Sequence, residues 1–188
     1  MLKLTLQSLR QMLVWTVLTG LVYPVVITVI AQTAFHDRAN GSLIVQGGNI
    51  AGSELLGQQF QGTNYFWSRP SACAYTTLPS GASNLGPTSG QLQTNVMSNL
   101  ATLRVAHNLG TNAPVPADLL FASGSGVDPQ ISPAAARFQV ARVAASRSLP
   151  VVQVAALVEQ FVEAPQFGFL GEPRVNVLKL NLALDALK

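Results

Sequence analysis

Hydrophobic and polar positions are divided unevenly along the chain. From Gln11 to Phe35 (QMLVWTVLTGLVYPVVITVIAQTAF) there is no Asp, Glu, Lys, Arg or His. As a helix rising ~1.5 Å per residue this stretch reaches roughly 37 Å, enough to cross a ~30 Å hydrocarbon core with tilt. The apolar region of a cleaved secretory leader runs only ~7–15 residues. The segment therefore predicts a retained transmembrane helix over 11–35. Within it Thr16, Gly20 and Pro24 recur at four-residue spacing and share a face. Small residues on one face let a second helix approach closely, and the carbonyl freed by a proline needs shelter. The three predict a packing face for a membrane partner.

Beyond the helix the pattern becomes that of a mixed domain. SLIVQGGNIAGSELLGQQF holds two β-like stretches around Gly47-Gly48, a hairpin signal. A long stretch from Gly62 to Gly90, rich in Pro, Gly, Ser and Asn, follows. Its consecutive Tyr65, Phe66 and Trp67 argue for a packed segment, since a solvated linker does not carry three aromatics together. Leu92, Val96, Leu100 and Leu103 then recur at helical spacing up to Gly110. ADLLFAS (117–123) reads as a short buried strand.

Ser132 before Pro133 is a helix start: a side-chain cap, then a ring whose missing N–H costs nothing at the first position. That helix, to about Ser148, is Ala-rich without a clean polar face, so it predicts packing on more than one side. Val151 to Glu163 reads as an amphipathic helix whose apolar arc is Val151, Val154, Leu157, Val158, Phe161 and Val162. Val175 to Leu178 is strand-like, and the residues after it suit strand or helix equally.

Charge adds direction. Lys3 and Arg10 precede the apolar helix, and Arg38 alone follows it before Arg69. This bias predicts residues 1–10 in the cytoplasm and residues 36–188 outside it. The fold class expected is α+β: a single N-terminal transmembrane helix followed by one compact mixed α/β extracytoplasmic domain. Residues 36–188 carry nine Lys/Arg and eight Asp/Glu, too balanced for a nucleic-acid partner. Cys73 is the only cysteine, so neither an internal disulfide nor a multi-cysteine metal site can form.

Motifs that carry chemistry are missing. No lysine follows a glycine as a phosphate-binding loop requires, and Pro129 stands where a dinucleotide fingerprint starting at Gly124 needs its third glycine. Ser123 and Ser125 lack the glycine spacing of a nucleophile elbow. His107, at a predicted helix end, suits carbonyl contacts better than catalysis, and His36 falls at the membrane edge. Two histidines without ligand spacing predict no metal site. Asp128, before Pro129, reads as a turn acid near a helix N-terminus. Arg137, Arg142 and Arg147 point different ways around their helix, which predicts solvated or ion-paired roles. Arg69, beside the aromatic triplet, is the better candidate for docking on a partner or on the domain, and Asp128 is carried with it as a second docking candidate. These readings predict no catalytic residue and no resident cofactor. A membrane-anchored serine hydrolase using Ser123 or Ser125, and a free-standing binding module, remain as alternatives.

Five stretches in order resemble the KdpC family, the C subunit of a bacterial potassium-transporting P-type ATPase. They are TGLVYP (19–24), YFWSRPSA (65–72), SGASNLGPTSGQL (80–92), SGSGVDPQISPAAARFQVARVAASR (123–147) and GEPRVNVLKLNLAL (171–184). Cys73 and Ala82 depart from the pattern, both in loops. The resemblance implies an accessory subunit of the bacterial inner membrane with no reaction of its own. Its partners would be a channel-like potassium-binding subunit and an ATP-hydrolysing P-type subunit. The chain has neither the Asp-Lys-Thr-Gly phosphorylation motif expected of the ATP-hydrolysing subunit nor the Thr-Val-Gly-Tyr-Gly filter expected of the channel-like one. The resemblance also implies a catalytic-chaperone role, with ATP reached through the catalytic subunit and Gln139 as a nucleotide contact. The charge bias opposes that contact, because it places Gln139 across the membrane from cytoplasmic ATP.

Overall fold

The computed structural model describes residues Met1–Leu187, which form two units, Met1–Leu43 and the chain from Ile44 onward. The first unit is a continuous helical run, Leu2–Ala34, long and apolar enough to cross a membrane. It comprises α1 (Leu2–Val17), a π-helical turn (Leu18–Val22) and α2 (Tyr23–Ala34). Helix begins nine residues before the uncharged stretch does, because residues 2–10 contain no Gly or Pro to stop it. Pro24 explains the wide turn. It donates no N–H, and its ring crowds the carbonyl of Gly20, so the helix opens by one residue there. The hydroxyls of Thr19, Thr28 and Thr33 bond back to the carbonyls of Trp15, Pro24 and Val29 at 2.7, 2.7 and 2.8 Å, so these three donors are satisfied within the helix. Phe35 leaves helical geometry, and one further turn, α3 (His36–Ala39), closes the unit.

From Leu43 onward β1 (Leu43–Gln46) and β2 (Asn49–Ser53) pair through Gly47 and Gly48. Both glycines have positive φ (59° and 83°), the requirement of the tight hairpin turn whose twist matches its strands. A three-stranded antiparallel sheet has β5 (Arg174–Asn176) between β3 (Gln130–Ile131) and β4 (Val162–Glu163), with Val175 opposite both Ile131 and Val162.

Four helices complete the second unit: α4 (Gly90–His107), α5 (Pro133–Arg147), α6 (Val151–Gln160) and α7 (Val177–Ala186). Helix α5 is the hub, packing on α4, α6 and β5. Ala135, Ala136, Val140, Val143 and Ala144 of α5 are buried against Val154, Leu157 and Val158 of α6 and Leu180 and Leu184 of α7. Its alanines let neighbours approach closely on more than one side. Ser132 Oγ accepts from Ala135 N at 3.0 Å, and Ser148 ends the helix in left-handed geometry, turning the chain into α6.

Three expectations change. Residues 117–123 are not a strand: Ala117–Leu119 form a 3₁₀ turn after Pro116, and Asp118 accepts from Ser132 N at 2.8 Å. Leu119 is buried there without any strand pairing. The amphipathic helix stops at Gln160, because Val162 and Glu163 pair with β5 instead, and Val151 lies exposed. The strand expected over 175–178 yields at Asn176, whose side chain caps Lys179 N at 3.1 Å and starts α7.

Replacing the α5 cap, Ser132→Ala, should lower the unfolding free energy by about 1 kcal/mol while Ser132→Asp retains most of it. Denaturant unfolding of the full chain in detergent measures both; equal stability of Ser132→Ala and the parent would show that the cap is idle.

Candidate functional site

The turn-rich segment beyond Leu56 reaches Ser89 with neither helix nor strand, yet its aromatic triplet is fixed. Phe66 is fully buried in the core, so the peptide groups beside it leave water and need partners. No strand lies alongside. Two side-chain amides supply the bonds a strand would make. Asn181 of α7 accepts from Phe66 N at 2.9 Å and donates to Phe66 O at 3.0 Å. Gln139 of α5 accepts from Trp67 N at 2.7 Å and donates to Trp67 O at 3.1 Å. Both amides are buried, at 0% and 1% exposure for Gln139 and Asn181.

Two arginines close over the same segment. Arg142 donates to Gln139 Oε1 (2.7 Å), Thr63 O (2.5 Å) and His107 Nε2 (3.1 Å), with its guanidinium 4.3 Å from the Trp67 ring centroid. Arg147 donates to Asn64 O (2.7 Å) and Asp185 (2.6 Å) and lies 4.8 Å from the Tyr65 ring centroid. Tyr65 completes that corner by donating to Asp185 at 3.2 Å. The expectation of solvated or ion-paired arginines holds for Arg147, paired with Asp185, and for Arg137, in a bidentate, exposed pair with Glu159, and is corrected for Arg142. Arg142 is buried and has no carboxylate partner among the described residues. The reason is length: the triplet runs along α5, and guanidinium stems reach it from positions that a helical wheel separates.

Burial lowers the Arg142 pKa to about 10, so the side chain stays charged at neutral pH. His107 accepts the Arg142 Nε–H through Nε2, which places its own proton on Nδ1. Its ring lies 4.4 Å from Phe138 and meets Trp67 edge-on. Burial first, and the Arg142 charge second, lower its pKa from 6.5 to about 4. His107 thus contacts a cation and two rings rather than free carbonyls.

Arg69 and Asp128 face each other. Arg69 Nη1 is 3.2 Å from Asp128 Oδ2, and Asp128 Oδ1 accepts from Gln130 N at 3.0 Å. The pair ties the segment after the triplet to the turn before β3, with about 28% and 29% of the side chains exposed. Thr16, Gly20 and Pro24 lie on the exposed surface of the first unit. The π turn between Thr16 and Pro24 takes more than four residues to close, which offsets the drift of about 40° that an α-helix accumulates every four residues.

This arrangement holds the aromatic segment against α5 and α7 through groups bonded to one another. Ser123 is buried, and Ser125 Oγ accepts from Val127 N at 3.2 Å. Neither serine is hydrogen-bonded to a histidine among the described residues. Among those residues no three His, Cys, Asp or Glu gather to hold a metal ion. Every Gln139 side-chain bond goes to Trp67 or Arg142, and the residue is fully buried. Asn181 and the Arg142–His107–Trp67 stack were not singled out in the sequence. The amides' one signal was an apolar neighbour on each side, Phe138 and Val140 around Gln139 and Leu180 and Leu182 around Asn181.

A family model described as KdpC, K+-transporting ATPase, c chain, matches residues 5–186. Three relatives named potassium-transporting ATPase KdpC subunit extend the likeness. The Methylococcus capsulatus protein is 54% identical over 184 residues, 96% of each chain. That of Paraburkholderia phytofirmans is 51% identical over 178 residues, 93% of this chain and 92% of its own. That of Herpetosiphon aurantiacus is 50% identical over 184 residues, 96% of this chain and 95% of its own.

Gln139→Leu strands the Trp67 N–H and C=O and one Arg142 donor, and should cost roughly 3–9 kcal/mol at ~1–3 kcal/mol for each of the three buried unpaired groups. A loss well under 1 kcal/mol in denaturant unfolding would show that water replaces the amide. For His107 the folded pKa lies below the unfolded one, so its contribution to stability is complete above pH 6.5 and is lost as pH falls through 4. Stability of the full chain should therefore drop between pH 6.5 and 4, and His107→Gln should flatten that part of the curve. Superimposable pH curves for the two proteins would refute this.

Proposed function

This chain belongs to the KdpC family of K+-transporting ATPase c chains, and from that premise we propose the following working role in the bacterial inner membrane. The chain is an accessory, non-catalytic subunit of an ATP-driven potassium uptake pump. The observation that carries the reading is the family match over residues 5–186. Relatives named potassium-transporting ATPase KdpC subunit, 50–54% identical over nearly the whole chain, support the same reading.

The helical run crosses the membrane once, with its N-terminus in the cytoplasm and the second unit outside. The face of Thr16, Gly20 and Pro24 packs on a membrane subunit, the channel-like potassium-binding partner or the ATP-hydrolysing one. Gly20 supports this, because a Cβ built there meets nothing within 4 Å and leaves the helix surface open to a neighbour. The second unit is a rigid outer piece that holds the assembly, with Arg69 and Asp128 at its docking edge. Help to the ATP-hydrolysing subunit passes through assembly. ATP is that partner's ligand, and Gln139 serves the triplet.

Two measurements test this. Tagged chain purified from membranes should bring large membrane subunits with it, and Gly20→Leu should reduce that recovery without lowering the amount of chain in the membrane. Recovery of the chain alone would overturn the assignment. For orientation, a membrane-impermeant maleimide added to intact cells should label Val105→Cys in a Cys73→Ser background, since Val105 is 84% exposed on α4. Labelling only after lysis would place the second unit in the cytoplasm.

A further inference from the structure

Between β4 and β5 the chain makes a tongue, residues 164–171, of sequence APQFGFLG without a charged side chain. Phe167 and Phe169 are 87% and 76% exposed and Leu170 is 48% exposed, and none of the three joins the core. This exposure belongs to a built hairpin. Gln166 and Leu170 exchange backbone bonds in both directions at 2.9 Å, and Gly168 N donates to Pro165 O at 3.0 Å. Gly168 turns with φ +81°, and Phe167 is held at φ +54°, a conformation unfavourable for a bulky residue. The fold fixes two phenyl rings outward at the tip of a narrow turn.

We propose that the tongue seats in the interfacial layer of the lipid bilayer that the chain's own helix crosses, a second attachment of this subunit to the membrane. The inference rests on that helix spanning a bilayer and not on the pump assignment. Three observations select lipid as the occupant.

The first is reach. Nine residues separate Ala34 from Ile44, at most about 30 Å when extended, and some are coiled in α3, so the second unit is tethered near a membrane surface. The second is area. Two phenylalanines and a leucine offer roughly 500 Å² at ~150–250 Å² per aromatic, short of the ~800 Å² that each side of a standard protein interface buries. A few aromatic and aliphatic side chains suffice to enter the ~5–10 Å boundary between headgroups and acyl chains. The third is charge. At the base of the tongue Arg174 and Glu163 neutralise each other at 3.1 Å, and Glu172 follows the apolar tip, so charge stays at headgroup level while the tip carries none.

The test uses the full chain in phosphatidylcholine nanodiscs, with Phe167→Cys in a Cys73→Ser background labelled by an environment-sensitive dye. Val26→Cys within the helix and Val105→Cys on α4 serve as controls. Expected at position 167 is blue-shifted emission that is lost when spin-labelled phosphatidylcholine is included, as at 26 and unlike 105. Unshifted, unquenched emission at 167 with quenching at 26 overturns the proposal and leaves the anchor intact. Emission that shifts only when copurifying subunits are present, and ignores the spin label, assigns the rings to a protein partner and also overturns it. Absence of quenching at 26 removes the spanning helix and the proposal together.

Discussion

Two consecutive peptide units, at Phe66 and Trp67, must enter the interior of a domain whose sheet has no strand to offer them. Burying Phe66 is favourable, but a buried backbone N–H or C=O without a partner costs ~1–3 kcal/mol. The fold meets this constraint with Gln139 and Asn181, whose amides reproduce the donor–acceptor pair of a peptide. Once both are committed, α5 and α7 are referenced to the same dipeptide, and the segment through Ser89 hangs from a fixed point. The hub position of α5 follows, because it alone contributes an amide, two arginines and the small-residue faces that seat its neighbours.

The Arg142 site shows how such a centre tolerates a charge. A buried cation without a carboxylate forfeits much of its hydration. Here it gains the Thr63 carbonyl, the Gln139 oxygen, a neutral imidazole and the face of an indole. The imidazole has to be neutral to accept, so the low pKa of His107 and the retained charge of Arg142 describe one arrangement. Shared acceptors couple these residues, and their substitution effects will not add. Trp67 ties the set to the backbone clamp by donating its own Nε1–H to Gly62 O at 2.9 Å.

What the sequence discloses follows the range over which each signal acts. The apolar run before Phe35, the Gly47-Gly48 turn and the Ser132-Pro133 start are local physics, and the structure has an element at each. Strands of two or three residues are too short to display an alternating period, so β3 and β4 could not be placed and β5 was met only in part, within the strand-like 175–178, while the buried residues at 117–123 suggested a strand where a 3₁₀ turn stands. Asp128 stands out in the sequence as a turn acid, but its partner Arg69 is 59 residues away. Arg142 was misjudged for the same reason. A helical wheel treats a long side chain as a spoke, whereas this one bends over Trp67 and back to Thr63. Gln139 stood out only through resemblance, which named a contact and not the peptide group that the amide holds.

The clamp reads backbone rather than side chain, and this divides the rules governing positions 66 and 67 into two kinds. Gln139 and Asn181 need an N–H and a C=O, which every residue except proline provides. Aromaticity is demanded separately, by the core around Phe66 and by the guanidinium over Trp67. One rule forbids a single residue type absolutely, and the other ranks the remaining types by fit. The segment obeys the first rule by spacing: its first proline is Pro70, three residues past the last clamped amide, where the chain is again free to turn.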